Sequence, residues 1–349
     1  MSPGIVPPYL LLRLSRLDRD DLQDAAEAAR RALAERPPHP THPTALPDLP
    51  RAATPQGPDR TISDAEGAET LPGLPVRTEG AESTGDLAVD EAYDGLGATY
   101  GMFAEAFGRA SIDGADLPLL ATVHYGRSYD NAFWDGTQMV FGDGDGQVFG
   151  RFTASLSVIG HELAHGVTEH TAGLVYEGQS GALNESVSDV FGALVEQHAR
   201  RQPADQASWL IGEGLFTDQV EGSALRSMRE PGTAYDDDVL GKDPQPGHMR
   251  DYVETTDDNG GVHLNSGIPN KAFHRTATSL GGFAWERAGR IWYDTISGEL
   301  PERATFAEFA AVTAAVAVAL HGDRSPEHLA VLDGWSTVGV PIGDTGAEG

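Results

Sequence analysis

The chain has 349 residues, 40% of them hydrophobic, no cysteine and a formal net charge of −29. That length and apolar content suit one large or two ordinary domains plus a small extra segment, and the missing cysteine excludes disulfides, thiolate metal sites and a cysteine nucleophile. Residues 1–60 are neutral, with 8 Arg and 8 acidic side chains, so 16 basic and 45 acidic groups in residues 61–349 carry the whole excess, a balance that argues against nucleic-acid or anionic-membrane partners.

The N-terminus does not read as a secretory signal. Its apolar run Tyr9–Leu12 is broken by Arg13, with no basic region before it and no small-residue cleavage site after it. Residues 15–36 are rich in Ala and charge, with Leu22, Ala26, Ala29 and Leu33 at helical spacing and Asp18 or Asp20 as N-caps. From Pro37 to Pro58, 8 of 22 residues are proline. Such a stretch is neither helix nor central strand and reads as an extended, protease-accessible linker. A short helical unit on a cleavable tether suggests a pro-segment.

From about Thr61 to Phe152 the pattern turns to Gly-rich turns and β-like runs such as Leu120–Tyr125 and Gln138–Phe141, interrupted by a helix from Asp86 to Phe107. Asp143 and Asp145 do not open an EF-hand, because Val148 stands where that loop needs Gly and Ala154 where it needs Glu. A tight hairpin turn accounts for them better. Beyond the metal-site stretch, helices are expected over about 186–201, 266–279, 282–297, 305–320 and 326–337. The most apolar run, Ala310–Leu320, contains Thr313 and is too short to span a membrane.

The chemistry centres on His161-Glu162-Leu163-Ala164-His165. Two histidines four apart share one helix face and can reach one metal ion, while Glu162 is turned about 100° away, where it can address a water. The third ligand is not the third histidine of the H-E-x-x-H-x-x-G-x-x-H pattern, because Thr168 and Thr171 occupy those places; His170 misses by one residue and reads as an ordinary helix-end residue. Glu185 and Asp189, four apart on a following helix among Leu183, Val187, Val190 and Phe191, offer the alternative. Glu185 can be the ligand, and Asp189 can accept the free ring N–H of a ligand histidine.

The run GHELAHGVTEHTAGLVYEGQSGALNESVSDVFG is similar to the zinc core of the thermolysin family of neutral metallopeptidases. NAFWDGTQMVFGDGDG at 131–146, ALRSM at 224–228 and DNGGVHLNSGIPNKAF at 258–273 agree in the same order. Val6-Pro7-Pro8-Tyr9-Leu10 resembles the start of the short precursor segments of protealysin-like members. The resemblance implies an α+β, two-lobed zincin fold with the zinc site in the cleft: a pro-segment over 1–60, a β-rich lobe with the HELAH helix over 61–185 and a helical lobe over 186–349. It implies one catalytic Zn²⁺ on His161, His165 and Glu185, with Glu162 as general base, His263 and Tyr176 as oxyanion donors and Asp258 orienting His263. Asn131 and the Ala132 backbone would pair with an extended substrate and Arg226 would bind a substrate carbonyl. Phe152, Val158 and Leu225 would wall the S1′ pocket, giving cleavage before bulky apolar residues.

One departure concerns calcium. Of the acidic cluster that holds two calcium ions in thermolysin, Glu196 and Glu213 remain, with Ser157, Ser208 and Leu210 in the other places. The double site is therefore expected to be absent or weak; Glu177, beside Tyr176, reads as merely solvated. Expected partners are polypeptide substrates and the protein's own pro-segment as inhibitor, with no nucleic acid and no membrane, in a monomer. The family is mostly secreted, with a cytoplasmic location as the alternative. A zinc aminopeptidase is disfavoured by the lack of a G-x-M-E-N signature, and a catalytically dead binding protein by the full set of site residues.

Overall fold

The computed structural model describes residues 4–34 and 57–342; most of the proline-rich stretch lies outside them. The N-terminal segment forms helices α1 (Pro8–Leu14) and α2 (Gln23–Ala34), joined through a short 3₁₀ turn at Asp20–Leu22. The expected helix over 15–36 therefore starts late, and neither Asp18 nor Asp20 caps it: Asp20 accepts from the Gln23 side chain instead. Of the four expected inward positions, Leu22, Ala26 and Ala29 are buried and Leu33 is exposed. Ile5, Val6, Leu10, Leu11 and Leu14 are buried in the same apolar cluster as the rest of the protein, so this segment is docked by its own hydrophobic face.

The first lobe is built on five strands, β1 (Arg60–Asp64), β2 (Leu74–Thr78), β3 (Leu119–Val123), β4 (Ala132–Trp134) and β5 (Met139–Phe141), in the order β2-β1-β3-β5-β4. The inner pairs β1–β3 and β3–β5 are parallel, and the outer strands β2 and β4 run antiparallel to their neighbours. Helix α3 (Leu87–Phe107) packs against this sheet. It starts where expected because the Asp86 carboxylate accepts the N–H groups of Ala88 and Val89, and it ends at Gly108 in the left-handed conformation. Asp143 and Asp145 lie in a tight loop rather than a strand-to-strand hairpin: Asp145 accepts from the N–H groups of Gln147 and Val148.

Helices α4 (Leu156–Glu169) and α5 (Gly178–Arg200) link the lobes. After them come the short pairs β6 (Leu210–Ile211) with β7 (Arg226–Ser227) and β8 (Asp236–Asp237) with β9 (Gly241–Lys242). Helices α6 (Asp258–Asn265), α7 (Gly267–Leu280), α8 (Ala288–Ser297), α9 (Phe306–His321) and α10 (Pro326–Thr337) complete the second lobe. Helix α8 begins six residues later than expected because Gly281 and Gly282 both take positive φ and break the run. The indoles of Trp292 and Trp335 stack with centroids 6.2 Å apart, and Trp335 donates to Thr313 at 2.9 Å, which explains the threonine in the most apolar helix. No helix among the described residues is long and apolar enough to cross a membrane.

Asp130, just before β4, is fully buried against Asp145, whose backbone N–H pulls its pKa down only weakly. Its neighbour is the Asp145 carboxyl, and two carboxyls can bond only when one keeps its proton. Burial, then the Asp145 charge, raises Asp130 well above the usual carboxylate range, against a weak pull from Arg31 on α2. The folded chain holds this proton more tightly than the unfolded one, so stability declines as pH rises above the ordinary aspartate range. Asp130→Asn should therefore have a Tm that gains on the parent between pH 5 and pH 8, by about 1–2 °C for each kcal/mol relieved. The comparison belongs in a Glu162→Gln background that cannot digest itself; a Tm difference that stays constant with pH would reject the shared proton.

Candidate active site and metal centre

Two glycines bring the site together. A Cβ on Gly160 would lie 3.0 Å from the Gly192 Cα, and one on Gly192 would lie 2.4 Å from the Ser157 carbonyl oxygen. Only glycine at both places lets α4 and α5 approach this closely. That approach sets Glu185 against the histidine face of α4. Glu185 Oε2 lies 3.5 Å from His161 Nε2, and Oε1 lies 3.4 Å from His165 Nε2. All three side chains are buried, and they are the one group of three or more potential ligands found to converge among the described residues.

The donor chemistry fits a metal ion. His161 Nδ1 donates to Asp189 Oδ1 at 2.7 Å and His165 Nδ1 donates to Asn184 Oδ1 at 2.7 Å. Both Nε2 atoms therefore present lone pairs, yet they face each other at 3.0 Å. Burial pushes the His165 imidazole down to about 4, so that ring disfavours the extra proton that would relieve the clash. Glu185 Oε2 is also buried without a hydrogen-bond partner. Two bare nitrogens and a carboxylate converging out of water suit a divalent cation, and their types suit zinc.

Around this group each remaining side chain has a defined anchor. Burial would raise Asp189, but Arg226 and His161 together outweigh it and hold the carboxylate well below its usual range. Arg226 grips it through Nε at 2.9 Å and Nη2 at 2.8 Å, and Asn270 donates at 2.7 Å. Glu162 takes the Trp134 backbone N–H of β4 on Oε2 at 3.1 Å, leaving Oε1 buried without a partner. Burial first, then the Glu185 charge, raises its pKa well above the ordinary value. Tyr176 donates a short hydrogen bond to Glu185 and lies 3.3 Å from His263 Nε2.

His263 is positioned by a rare backbone. Asp258, Asn259, Gly260 and Gly261 all have φ between 50° and 88°, a left-handed turn ahead of the true helical part of α6. For Asp258 and Asn259 this conformation is strained. It lets the Asp258 carboxylate accept both the His263 backbone N–H at 2.9 Å and Nδ1–H at 2.7 Å. Burial alone would depress His263, but Asp258 and Glu185 together lift it to about 9.

The cleft edge is occupied by the chain itself. Ile5 N donates to the Ala132 carbonyl at 3.1 Å and Val6 N to Asn131 Oδ1 at 3.1 Å. Arg226 Nη1 donates to the Ile5 carbonyl at 3.0 Å, and His263 Nε2 lies 3.2 Å from the Gly4 carbonyl. Gly4 forms an antiparallel bridge with Phe133, extending the sheet beyond β4. Ile5 is buried in one cluster with Phe152, Val158 and Leu225. The structure thus brings Asn131, Ala132, Arg226 and His263 together around Gly4–Val6, while Phe152, Val158 and Leu225 share with Ile5 only the protein's main apolar cluster. Elsewhere, Glu196 is paired with Arg200, Glu177 pairs with Arg303, and His170 caps α4 with its ring on the Gly166 carbonyl.

Three anchors escaped the sequence reading: Asn184, Asn270 and the Trp134 N–H. Asn184 and Asn270 sit inside the two motif blocks, but as side chains they carry no signature. A backbone N–H carries none at all.

This centre defines a metallopeptidase of the two-histidine, one-glutamate type. Residues 75–169 match the family described as thermolysin metallopeptidase, catalytic domain, and residues 172–340 match thermolysin metallopeptidase, alpha-helical domain. The chain is 56% identical over 288 residues to the extracellular metalloprotease of Pectobacterium carotovorum, covering 81% of this chain and 82% of that one. It is 54% identical over 286 residues to protease PrtS of a Photorhabdus strain, covering 81% and 76%. The structure of the precursor of protealysin, a metalloproteinase from Serratia proteamaculans, superposes with a TM-score of 0.90 at 51% identity, covering 97% of this chain and all of that one. The chain belongs to the thermolysin family of metallopeptidases, among its protealysin-like members, and is a zinc-dependent endopeptidase.

Stripping the metal should lower Tm and restoring zinc should recover it, because the facing nitrogens then lose their counter-charge. Asp189→Asn should loosen zinc about 10- to 100-fold, read by competition with a chelating dye. Unchanged affinity would confine Asp189 to holding Arg226 and Asn270.

Proposed function

We propose that this protein is a zinc endopeptidase made as a self-cleaving zymogen, with residues 1–60 as a pro-segment that shuts its own cleft. Lobes over 61–185 and 186–349 then form the mature enzyme. The observation that carries this reading is the course of Gly4–Val6, whose backbone meets Asn131, Ala132, Arg226 and His263 with the polarity of a bound peptide. In that register Gly4 precedes and Ile5 follows the position of the scissile bond. Ile5 is fully buried, which supports cleavage before bulky apolar residues.

When bound by His161, His165 and Glu185, zinc supplies a Lewis acid that polarises the scissile carbonyl and acidifies a water. The chain's own groups do the rest. Glu162, anchored through Oε2, uses the free Oε1 to take a proton from the attacking water and return it to the leaving nitrogen. Its raised proton affinity makes it a competent carrier of that proton. His263 and Tyr176 donate to the substrate oxygen as negative charge develops there, and Asp258 keeps the His263 ring turned toward it. Asn131, the Ala132 carbonyl and Arg226 hold the substrate backbone in register. The extracellular metalloprotease among its relatives supports a secreted location, and the active unit is read as a monomer.

The test follows the intact mass of purified full-length protein with time, with and without a zinc chelator, beside Glu162→Gln. The wild type should trim itself to a product beginning between about Pro37 and Thr61, and neither control should. Glu162→Gln should keep its zinc and lose about 10²- to 10⁴-fold in peptidase rate. An unchanged mass with a casein-type substrate cut would remove the pro-segment reading. Zinc bound with nothing cut by any form would favour a binding protein.

A further inference from the structure

The Gly4–Val6 segment continues into α1, whose Arg13 reaches the loop between β8 and β9. There Arg13 Nε donates to the Val239 carbonyl and Nη2 to the Asp238 carbonyl, both at 2.8 Å. Both acceptors lie in the loop joining β8 to β9. The Asp237 carboxylate accepts the N–H groups of Val239 and Leu240 at 2.6 and 2.9 Å and that of Glu221 at 3.1 Å, which holds the loop in shape. Gly241, at φ 79°, forms the floor, and a Cβ there would lie 2.8 Å from Arg13 Nε. The open cavity around the guanidinium, of about 530 Å³, is lined by Asp218, Glu221, Asp236, Asp237 and Asp238, with Lys242 as the one other cation besides Arg13.

Resting on the zymogen reading, we propose that this seat is a distal subsite of the mature enzyme that selects an arginine or lysine downstream of the scissile bond. Every atom of the seat belongs to the catalytic lobes, so it persists when the N-terminal segment leaves. Carbonyl acceptors and a carboxylate rim recognise a guanidinium as a donor fork and a charge together. Between Ile5 and Arg13 the chain has three extended steps at about 3.3 Å and five helical ones at 1.5 Å, a reach of at most about 18 Å. An extended substrate covers that reach in about five residues, which puts the preferred base at the fourth to sixth primed position. Arg13 then marks the subsite in the zymogen as Ile5 marks the apolar one.

The experiment uses enzyme matured from the full chain, with mass showing that residues 4–34 are gone. Internally quenched peptides carry Ile at the first primed position and Arg, citrulline or Ala at the fourth, fifth or sixth. Arg should raise kcat/KM about 3- to 30-fold over citrulline at one of these positions, less so at high salt. The double change Asp236→Asn with Asp238→Asn, both exposed side chains, should shrink this ratio while leaving the Ala peptide unaffected. Gly241→Ala should lower it as well. Equal cleavage of Arg and citrulline peptides, or a ratio untouched by the charge variants, overturns the subsite and leaves the zymogen reading standing. Active enzyme that still carries residues 4–34 overturns both.

Discussion

The Asp189 carboxylate is the constraint on which the site depends. It is fully buried and accepts from His161 Nδ1, from two nitrogens of Arg226 and from Asn270. A lone carboxylate at that depth would be prohibitive, and the bidentate Arg226 makes it tolerable. The same two contacts do separate work. One fixes the tautomer of a metal-site histidine; the other aims a guanidinium at the backbone lying in the cleft. The metal centre and the edge that holds Gly4–Val6 are thus set by one charge on α5, and α5 can bring it there because Gly160 and Gly192 let two helices nearly touch.

Much of this was legible in the sequence. Helical spacing put His161 with His165 and Glu185 with Asp189, and the burial of all four follows from the apolar neighbours between them. Resemblance supplied what spacing could not: that Asn131, Tyr176, Arg226, Asp258 and His263, scattered over more than a hundred residues, meet at one cleft. The start of α3 was readable because Asp86 is a cap of ordinary type.

What was not legible came from backbone and from long-range packing. The left-handed run Asp258–Gly261 takes positive φ at four successive residues, two of them Asp and Asn; these types tolerate that state singly, but composition does not fix such a run. The anchor of Glu162 is an N–H of β4. The early N-terminal residues were recognisable as a precursor motif, yet nothing local said that Ile5 and Val6 would pair with the edge of a sheet more than a hundred residues away. The late start of α8 reflects the positive φ of Gly281 and Gly282, a backbone state that the expected range from 282 did not include.

On the proposed reading, the docked segment also limits how the enzyme can switch on. Ile5, Val6, Leu10, Leu11, Leu14 and Leu22 are all buried, and each such side chain contributes about 1.5–3 kcal/mol. While the tether is intact, the segment faces its cleft at an effective concentration in the millimolar range. Cutting the tether removes that advantage but none of these contacts. A freshly cut molecule is then still occupied by its own product. It opens only when the freed segment is diluted or digested, so cleavage of the linker and onset of activity are separate events.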